Sequence, residues 1–414
     1  MGTVARFRDN QTQQPFSREE KAKLAQTISP EVVLDGRPGA CLIKKGRPDD
    51  PEALVREYEF IASLPAELKW AFPRVWGLQT EGDTAQYRMD KVPLPTLAEA
   101  ILGSPGKNLP SKLDAERALD HLRPILNFVV HDLHPSKVSP MTPDFLDRAV
   151  FQKYENAQAD RLAFIQTKLA AKNGVDREER SCLADYRALL EAGEVMVDGM
   201  MCENAAAILQ RIKASPSLCK MLTPPRLYHV HGDLSFNNVL INVEDVANFT
   251  LIDPKPLLGG GDMAKDFASL LFPCQGGFAL FTRDYFDVEV DREGGLLRVE
   301  IDLWGNEPKA VLRKYAEGKG SGGVFEEVQI LDGTERGALD EISQQLPTLI
   351  REILNGSQAE EDDTWLMRAE LHQAVSLCSL LLAHLEESPE CAVACHAMGL
   401  KLLTQWWEKY SDLR

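Results

Sequence analysis

Apolar positions change rhythm several times along the chain. EVVL and ACLIKK are short β-type runs either side of the turn DGRPG, and together they read as a hairpin. In DDPEALVREYEFIASL the spacing becomes helical, with Leu54, Tyr58, Ile61 and Leu64 on one face. Asp49 or Asp50 can cap that helix, and Pro51 suits its first turn, where a missing N–H costs nothing. FPRVWGL and TAQYRMDKV are two more strand candidates. The polar residues 1–28, with a helix expected from about Ser17, precede this set. Residues 1–92 are therefore expected to form a small sheet carrying one helix, and 93–414 the rest of the protein.

From about 95 to 225 the pattern is helical, with segments near 112–132, 143–172, 178–192 and 195–214. Between 226 and 272 it turns strand-like, and NVLINV and NFTLID read as a second hairpin. YFDVEVDREGGLLRVEIDLW, at 284–304, alternates about a Gly-Gly turn and reads as an inserted hairpin. GKGSGG at 318–323 is a flexible loop, and residues 337–355 and 363–410 return to helix. No repeat of fixed period occurs.

Composition narrows the class. A chain of 414 residues with 44% hydrophobic and 26% charged residues builds two or three compact units. Its formal net charge of -17 argues against nucleic-acid binding and against docking on an anionic membrane, and is compatible with a cationic substrate. The eight cysteines are dispersed without a CxxC pair, which fits a reducing compartment. The start of the chain lacks an apolar run, and no window reaches the ~18 apolar residues of a membrane span, so the expected location is the cytoplasm. Cys391 and Cys395, beside His396 in CAVACH, share a helix face at i and i+4 and are expected to be two small buried residues.

The densest chemistry lies in HVHGDLSFNNVLIN and FTLIDPKP. Phosphoryl transfer needs a carboxylate to orient the acceptor hydroxyl and take its proton. It also needs oxygen ligands for a metal that holds the triphosphate. Asp233 supplies the first. Asn238, at the start of a strand, and Asp253, at the end of the next, supply the second, because a hairpin brings those strand ends together. Asn237 lies beside Asn238, and the spacing from Asp233 selects Asn238.

HGD, then Asn238, then an apolar-Ile-Asp run, resembles the aminoglycoside phosphotransferase and choline kinase-like proteins, relatives of the protein kinases. The resemblance implies an α+β, bilobal protein-kinase-like fold, with a small N-terminal sheet lobe that binds nucleotide and a large, mainly helical C-terminal lobe for catalysis and substrate. It implies Asp233 as catalytic base, Asn238 and Asp253 as Mg²⁺ ligands, His231 as a structural member of the loop, and Asp266 as its brace. ATP or GTP would be the donor. The acceptor would be a hydroxyl of a small molecule such as a sugar, an aminoglycoside or an amino alcohol. HGDLSFNNVL with IDPKP is also similar to kinase-like proteins associated with sugar and capsule biosynthesis.

Such a fold needs a strand lysine on the phosphates and a helix glutamate to hold it. CLIKKG offers Lys44 or Lys45, and REYEF offers Glu57 or Glu59; the family pattern favours Lys44 and Glu57. Met89, Asp90, Lys91 and Val92 would line the adenine edge where the chain crosses between lobes. Two features depart from the pattern: DGRPG is the only glycine turn before Lys44, and the 284–304 hairpin has no counterpart in the expected kit. The competing functions are a catalytically silent kinase-like binding protein and a protein kinase. HGD in place of HRD, PKP after Asp253 and the lack of APE count against the second. His131 and His134 could share a helix face as metal ligands, or be ordinary surface or core histidines.

Overall fold

The computed structural model describes residues 3–5, 41–46, 50–82, 84–103, 112–171, 177–257, 259–304, 308–316, 324–379 and 388–413. EVVL, DGRPG, the helix expected from Ser17 and the loop 318–323 lie outside them.

The fold is mixed α+β. Strands β1 (Thr3–Ala5) and β2 (Cys41–Lys45), helix α1 (Pro51–Ser63), and strands β3 (Val75–Glu81) and β4 (Thr84–Asp90) come first. The strands form an antiparallel sheet in the order β1-β2-β4-β3, with Lys44 opposite Tyr87. Alternation along β4 buries Ala85, Tyr87 and Met89 on one face, where Leu54 of α1 covers them. Asp50 Oδ1 caps α1 by accepting from Ala53 N–H at 3.0 Å. Phe60 and Ile61, further along α1, belong to a different core, shared with the segments that follow. One helix thus packs into two cores, and Glu57 lies between its two contact faces.

Past β4 the chain runs directly onto the next sheet: Pro95 O accepts from Ile241 N–H at 3.0 Å. Helices α2 (Leu97–Leu102) and α3 (Ala115–Phe128) follow, the first closed by a Thr96/Glu99 capping box. A π turn at Val129–Leu133 leads through His134 to β5 (Val138–Ser139), and a second at Asp147–Gln152 leads into α4 (Lys153–Ala170) and α5 (Arg177–Glu191).

The helix expected over 195–214 is only half helix. Strands β6 (Glu194–Val197) and β7 (Met200–Glu203) form a hairpin before α6 (Ala205–Lys213) and α7 (Pro216–Leu222). The reason is Asp198-Gly199, whose φ values of 47° and 76° build the tight turn that matches strand twist. After β8 (Leu227–Tyr228) come β9 (Val239–Asn242) and β10 (Asp245–Leu251), antiparallel with Val239 opposite Leu251. Helices α8 (Ala264–Gln275) and α9 (Phe278–Phe281) lead to β11 (Phe286–Glu293) and β12 (Leu296–Leu303). That alternating segment is not a free-standing hairpin, because β12 pairs parallel with β6 in the sheet β11-β12-β6-β7. Strands β13 (Pro308–Ala316) and β14 (Val324–Asp332) pair with each other, and α10 (Glu335–Leu354), α11 (Trp365–Cys378) and α12 (Pro389–Tyr410) complete the chain. No helix among the described residues is long and apolar enough to cross a membrane.

Helix α11 is tied to the segment before α8 by a buried ion network. Arg368, 1% exposed, donates to Asp262 from Nε at 2.7 Å and from Nη2 at 3.1 Å. Its Nη1 and Nη2 also reach Asp362 at 2.9 and 2.6 Å. Burial alone would raise the Asp262 carboxyl, but the Arg368 guanidinium outweighs it and holds the group well below the usual carboxylate range. Replacing Arg368 by Met would leave two carboxylates enclosed without their cation, at a cost of about 3–5 kcal/mol. Arg368→Met is expected to lower the urea midpoint accordingly, while Arg123→Ala at an exposed pair leaves it nearly unchanged. Equal midpoints for the two variants would refute the strut.

Candidate active site

The loop between β8 and β9 is shaped by a buried carboxylate. Asp266, in the first turn of α8, is fully buried and accepts from His231 N–H at 2.9 Å and Gly232 N–H at 2.7 Å. His134 Nε2 lies 3.0 Å from the same group. Burial would push Asp266 up, yet the hydrogen bonds from His134 and from Gly232 N–H hold it below the ordinary range. His134 thus supports the loop from the core, while His131 is exposed on the π turn. Among the described residues no three His, Cys, Asp or Glu gather as a metal cluster.

Gly232 has φ of 81°, and a Cβ there would sit 2.0 Å from the Lys255 carbonyl oxygen. Only glycine fits that close approach. The approach is fixed because Lys255 N–H donates to His231 O at 2.8 Å. His231 is buried; its Nδ1 accepts from Asp233 N–H at 3.3 Å, so its ring proton belongs on Nε2. Enclosure lowers its pKa, which favours the neutral ring.

These constraints place Asp233 at the edge of the loop, partly accessible. Its Oδ2 accepts from Asn238 Nδ2 at 3.0 Å and pairs with Lys255 Nζ at 2.7 Å. Both bonds fall on Oδ2, and neither engages Oδ1. Burial would raise the Asp233 carboxyl, but Lys255, Lys265 and His231 together lower it, so it is a carboxylate at neutral pH. Asn238 Nδ2 also donates to Asp233 O at 2.8 Å, so its Oδ1 is left as its acceptor atom.

The register of the β9/β10 hairpin brings the two strand-end residues together: Ile252 N–H donates to Asn238 O at 3.0 Å, and Asp253 is the next residue. Asp253 holds a left-handed backbone, φ 57°, unusual for a side-chain-bearing residue though easiest for Asp, Asn and Gly. Its Oδ1 meets Lys44 Nζ at 2.7 Å.

Lys44 is 4% exposed and also donates to Glu57 at 2.5 Å. Tyr87 O–H shares Glu57 at 2.5 Å. Burial works against the Lys44 ammonium, but Asp253 and Glu57 outweigh it and raise its pKa. Lys45, its neighbour, points to the other face and is exposed, as period-two alternation requires. Glu59 is exposed two residues from Glu57. Met89 is a core residue, 6% exposed, opposite Leu42 and Val75. Asp90 pairs with Arg74 at 3.3 Å; Lys91 is exposed and Val92 half-buried beyond the strand.

Strand β2, helix α1, the loop before β9 and the end of β10 therefore deliver Lys44, Glu57, Asp233, Asn238 and Asp253 to one locality. Lys255 joins them without having stood out as a site candidate: PKP reads as a turn, and a lysine after a proline looks solvated. Asn238 Oδ1 and the Asp253 carboxylate are hard oxygen donors, the kind Mg²⁺ takes.

No protein-family model matches the chain, and no curated protein matches it in sequence. Among solved structures it is similar to the crystal structure of an aminoglycoside-3'-phosphotransferase of type VIII. The two are 19% identical, with 57% of this chain and 74% of that one covered, at a TM-score of 0.29. The likeness is weak, and the chemistry of the site is what bears on function.

The close approach at Gly232 makes a local prediction. Gly232→Ala must push Lys255 away and strain φ, so exchange protection of the His231 and Gly232 amides should fall while that of α11 persists. Unchanged protection at those two amides would show that the loop does not depend on the clearance.

Proposed function

We propose that the chain is a Mg²⁺-dependent phosphotransferase that moves the γ-phosphoryl group of ATP or GTP to a hydroxyl of a small molecule. The observation that carries this is the Lys44 ammonium, held between Glu57 and Asp253 and so linking the sheet to the hairpin that bears Asn238. In this reading residues 1–92 bind nucleotide and 93–414 supply catalysis and acceptor binding, as two lobes. Asp90, Lys91 and Val92 offer backbone groups to the base, with Met89 fixing the strand beneath them. A sugar, an aminoglycoside or an amino alcohol is the acceptor class that the sequence resemblance suggests.

Asn238 and Asp253 would hold Mg²⁺, which neutralises the negative charge that builds on the phosphate oxygens. Everything else is done by the chain's own groups. Lys44 fixes the α- and β-phosphates. Asp233 Oδ1 accepts a hydrogen bond from the acceptor hydroxyl and aligns its oxygen for in-line attack. As the O–P bond forms, the hydroxyl proton becomes acidic and passes to Asp233. A carboxylate with a lowered pKa is a weak base, so its main contribution is alignment, with the proton moving late. Lys255, held on Asp233 Oδ2, keeps the carboxylate turned.

Asp233→Asn keeps the shape and removes the charge and the proton acceptor. It should lower kcat by about 10²- to 10⁴-fold with little change in nucleotide binding. The check is ADP or GDP release across a library of hydroxyl acceptors, with melting temperatures of Asp233→Asn and Asp233→Ala alongside. An active Asn variant beside a destabilised Ala variant would mean that Asp233 only caps its loop. No turnover by the unmodified chain on any acceptor would favour a silent binding protein instead.

Lys44→Ala should raise the nucleotide KM and depress kcat, whereas Lys45→Ala, on the opposite face of β2, should leave both nearly unchanged. The reverse ranking in the same assay would move the clamp to Lys45.

A further inference from the structure

Two residues past Asp253 stands Lys255, in the run DPKP. Prolines on both sides restrict its backbone, and the first of them, Pro254, is buried. Its N–H donates to His231 O at 2.8 Å, and its carbonyl oxygen occupies the space that a side chain at Gly232 would need. The side chain therefore starts from a fixed point, on the segment that carries Asp253 and against the loop that carries Asp233.

From there its Nζ reaches Asp233 Oδ2 at 2.7 Å, although the side chain is 53% exposed. A lysine that open is ordinarily solvated, and an exposed pair adds little to stability. The loop does not need the contact, because Asp266 and Asn238 already hold it. An ammonium has three N–H groups. Among the described residues Asp233 is the one acid with which Lys255 pairs, and its other donors are left to solvent. Lys44, by contrast, is enclosed and divided between Glu57 and Asp253.

Moving a phosphoryl group to a hydroxyl held by Asp233 brings two anions together, the carboxylate and the γ-phosphoryl group. Their repulsion opposes the approach unless a cation touches both. The two oxygens of a carboxylate share one carbon. A phosphoryl group in line with a hydroxyl on Oδ1 therefore comes within reach of an ammonium on Oδ2. Lys255 is the cation already in contact with Asp233, and its open side chain can follow the phosphoryl group as it moves.

We propose that Lys255 is a catalytic residue whose ammonium bridges Asp233 Oδ2 and a non-bridging oxygen of the γ-phosphoryl group during transfer. The assignment rests on the phosphotransferase reading above and goes beyond keeping the carboxylate turned. The acceptor oxygen bonds to the γ-phosphorus. The bond from that phosphorus to the β–γ bridging oxygen breaks, and its electron pair leaves with ADP or GDP. The hydroxyl proton goes to Asp233, and Lys255 keeps its own three protons throughout. Its contribution is a fixed positive charge beside oxygens that carry negative charge in the transition state.

Lys255→Met keeps the aliphatic stem and the backbone bonds and removes the charge. Release of ADP or GDP is measured with Mg²⁺ and with glucose, kanamycin and choline, one for each acceptor class. The kcat should fall about 10²- to 10³-fold, the loss expected when one preorganised donor is taken from a transition state. Calorimetric titration of the Mg²⁺ complexes of non-hydrolysable ATP and GTP analogues should give nearly unchanged affinity, and the Tm should hold. Lys255→Gln repeats every measurement should the methionine variant fold poorly. The decisive comparison is made in Asp233→Asn. A lysine that only turns the Asp233 carboxylate has none left to turn, so adding Lys255→Met would cost nothing there. A lysine that serves the phosphoryl group costs a further tenfold or so even in that background. A silent Lys255→Met in Asp233→Asn, or a loss confined to the acceptor KM, would overturn the proposal. If the unmodified chain consumes nucleotide with none of the acceptors, the phosphotransferase reading falls and this role with it. If it turns one over and Lys255→Met does so equally fast, Lys255 alone is wrongly assigned.

Discussion

Two backbone N–H groups, those of His231 and Gly232, point into the protein interior, where each would be costly to leave unbonded, and the Asp266 carboxylate receives both. The geometry of the site follows from that contact. It fixes the direction in which the loop leaves β8, and with it the place where Asp233 emerges. It also sets the close passage of Gly232 over Lys255, which keeps Lys255 within reach of Asp233. His134, delivered by a π turn, completes the brace from the far side. Asp266 itself is placed by α8, whose approach is set in turn by the Arg368 network at Asp262.

The N-terminal sheet reaches this centre by a different route. Helix α1 packs into the sheet core through Leu54 and into the neighbouring core through Phe60 and Ile61, so the sheet and the β9/β10 hairpin are held in relation by one rigid element. Glu57 lies between those contacts and orients Lys44, which then spans to Asp253. The charges alternate: carboxylate, ammonium, carboxylate on one side, and on the other Asp233 against Lys255.

Much of this centre was legible in the sequence because its members lie on local structure. A hairpin joins strand ends whatever its surroundings, so HGD, Asn238 and Asp253 could be brought together from spacing alone. Lys44 and Glu57 could each be narrowed to two neighbours, and alternation along β2 separates Lys44 from exposed Lys45. What escaped is non-local. Lys255 looks like a solvated charge until the close passage over Gly232 brings it to Asp233. The β6/β7 hairpin escaped for a different reason: the helical rhythm on either side of EVMVDGMMCE masked the Asp-Gly turn, a strong local signal. Met89 is a reminder that one strand residue can adjoin a site in sequence while its side chain serves the core.

The parallel pairing of β12 with β6 has a bearing on how the chain folds. The strands are separated by the entire segment that carries the HGD loop, the β9/β10 hairpin and α8. Their pairing must therefore close a long loop before it yields any hydrogen bonds, a slow kind of event compared with forming a hairpin or helix. During synthesis β6 and β7 can pair at once, but β6 keeps an open edge until Leu296–Leu303 has left the ribosome. In that interval the edge is a template for pairing with another chain. The sheet edge that closes over the HGD loop segment is thus one that a nascent chain leaves open for about a hundred residues of synthesis.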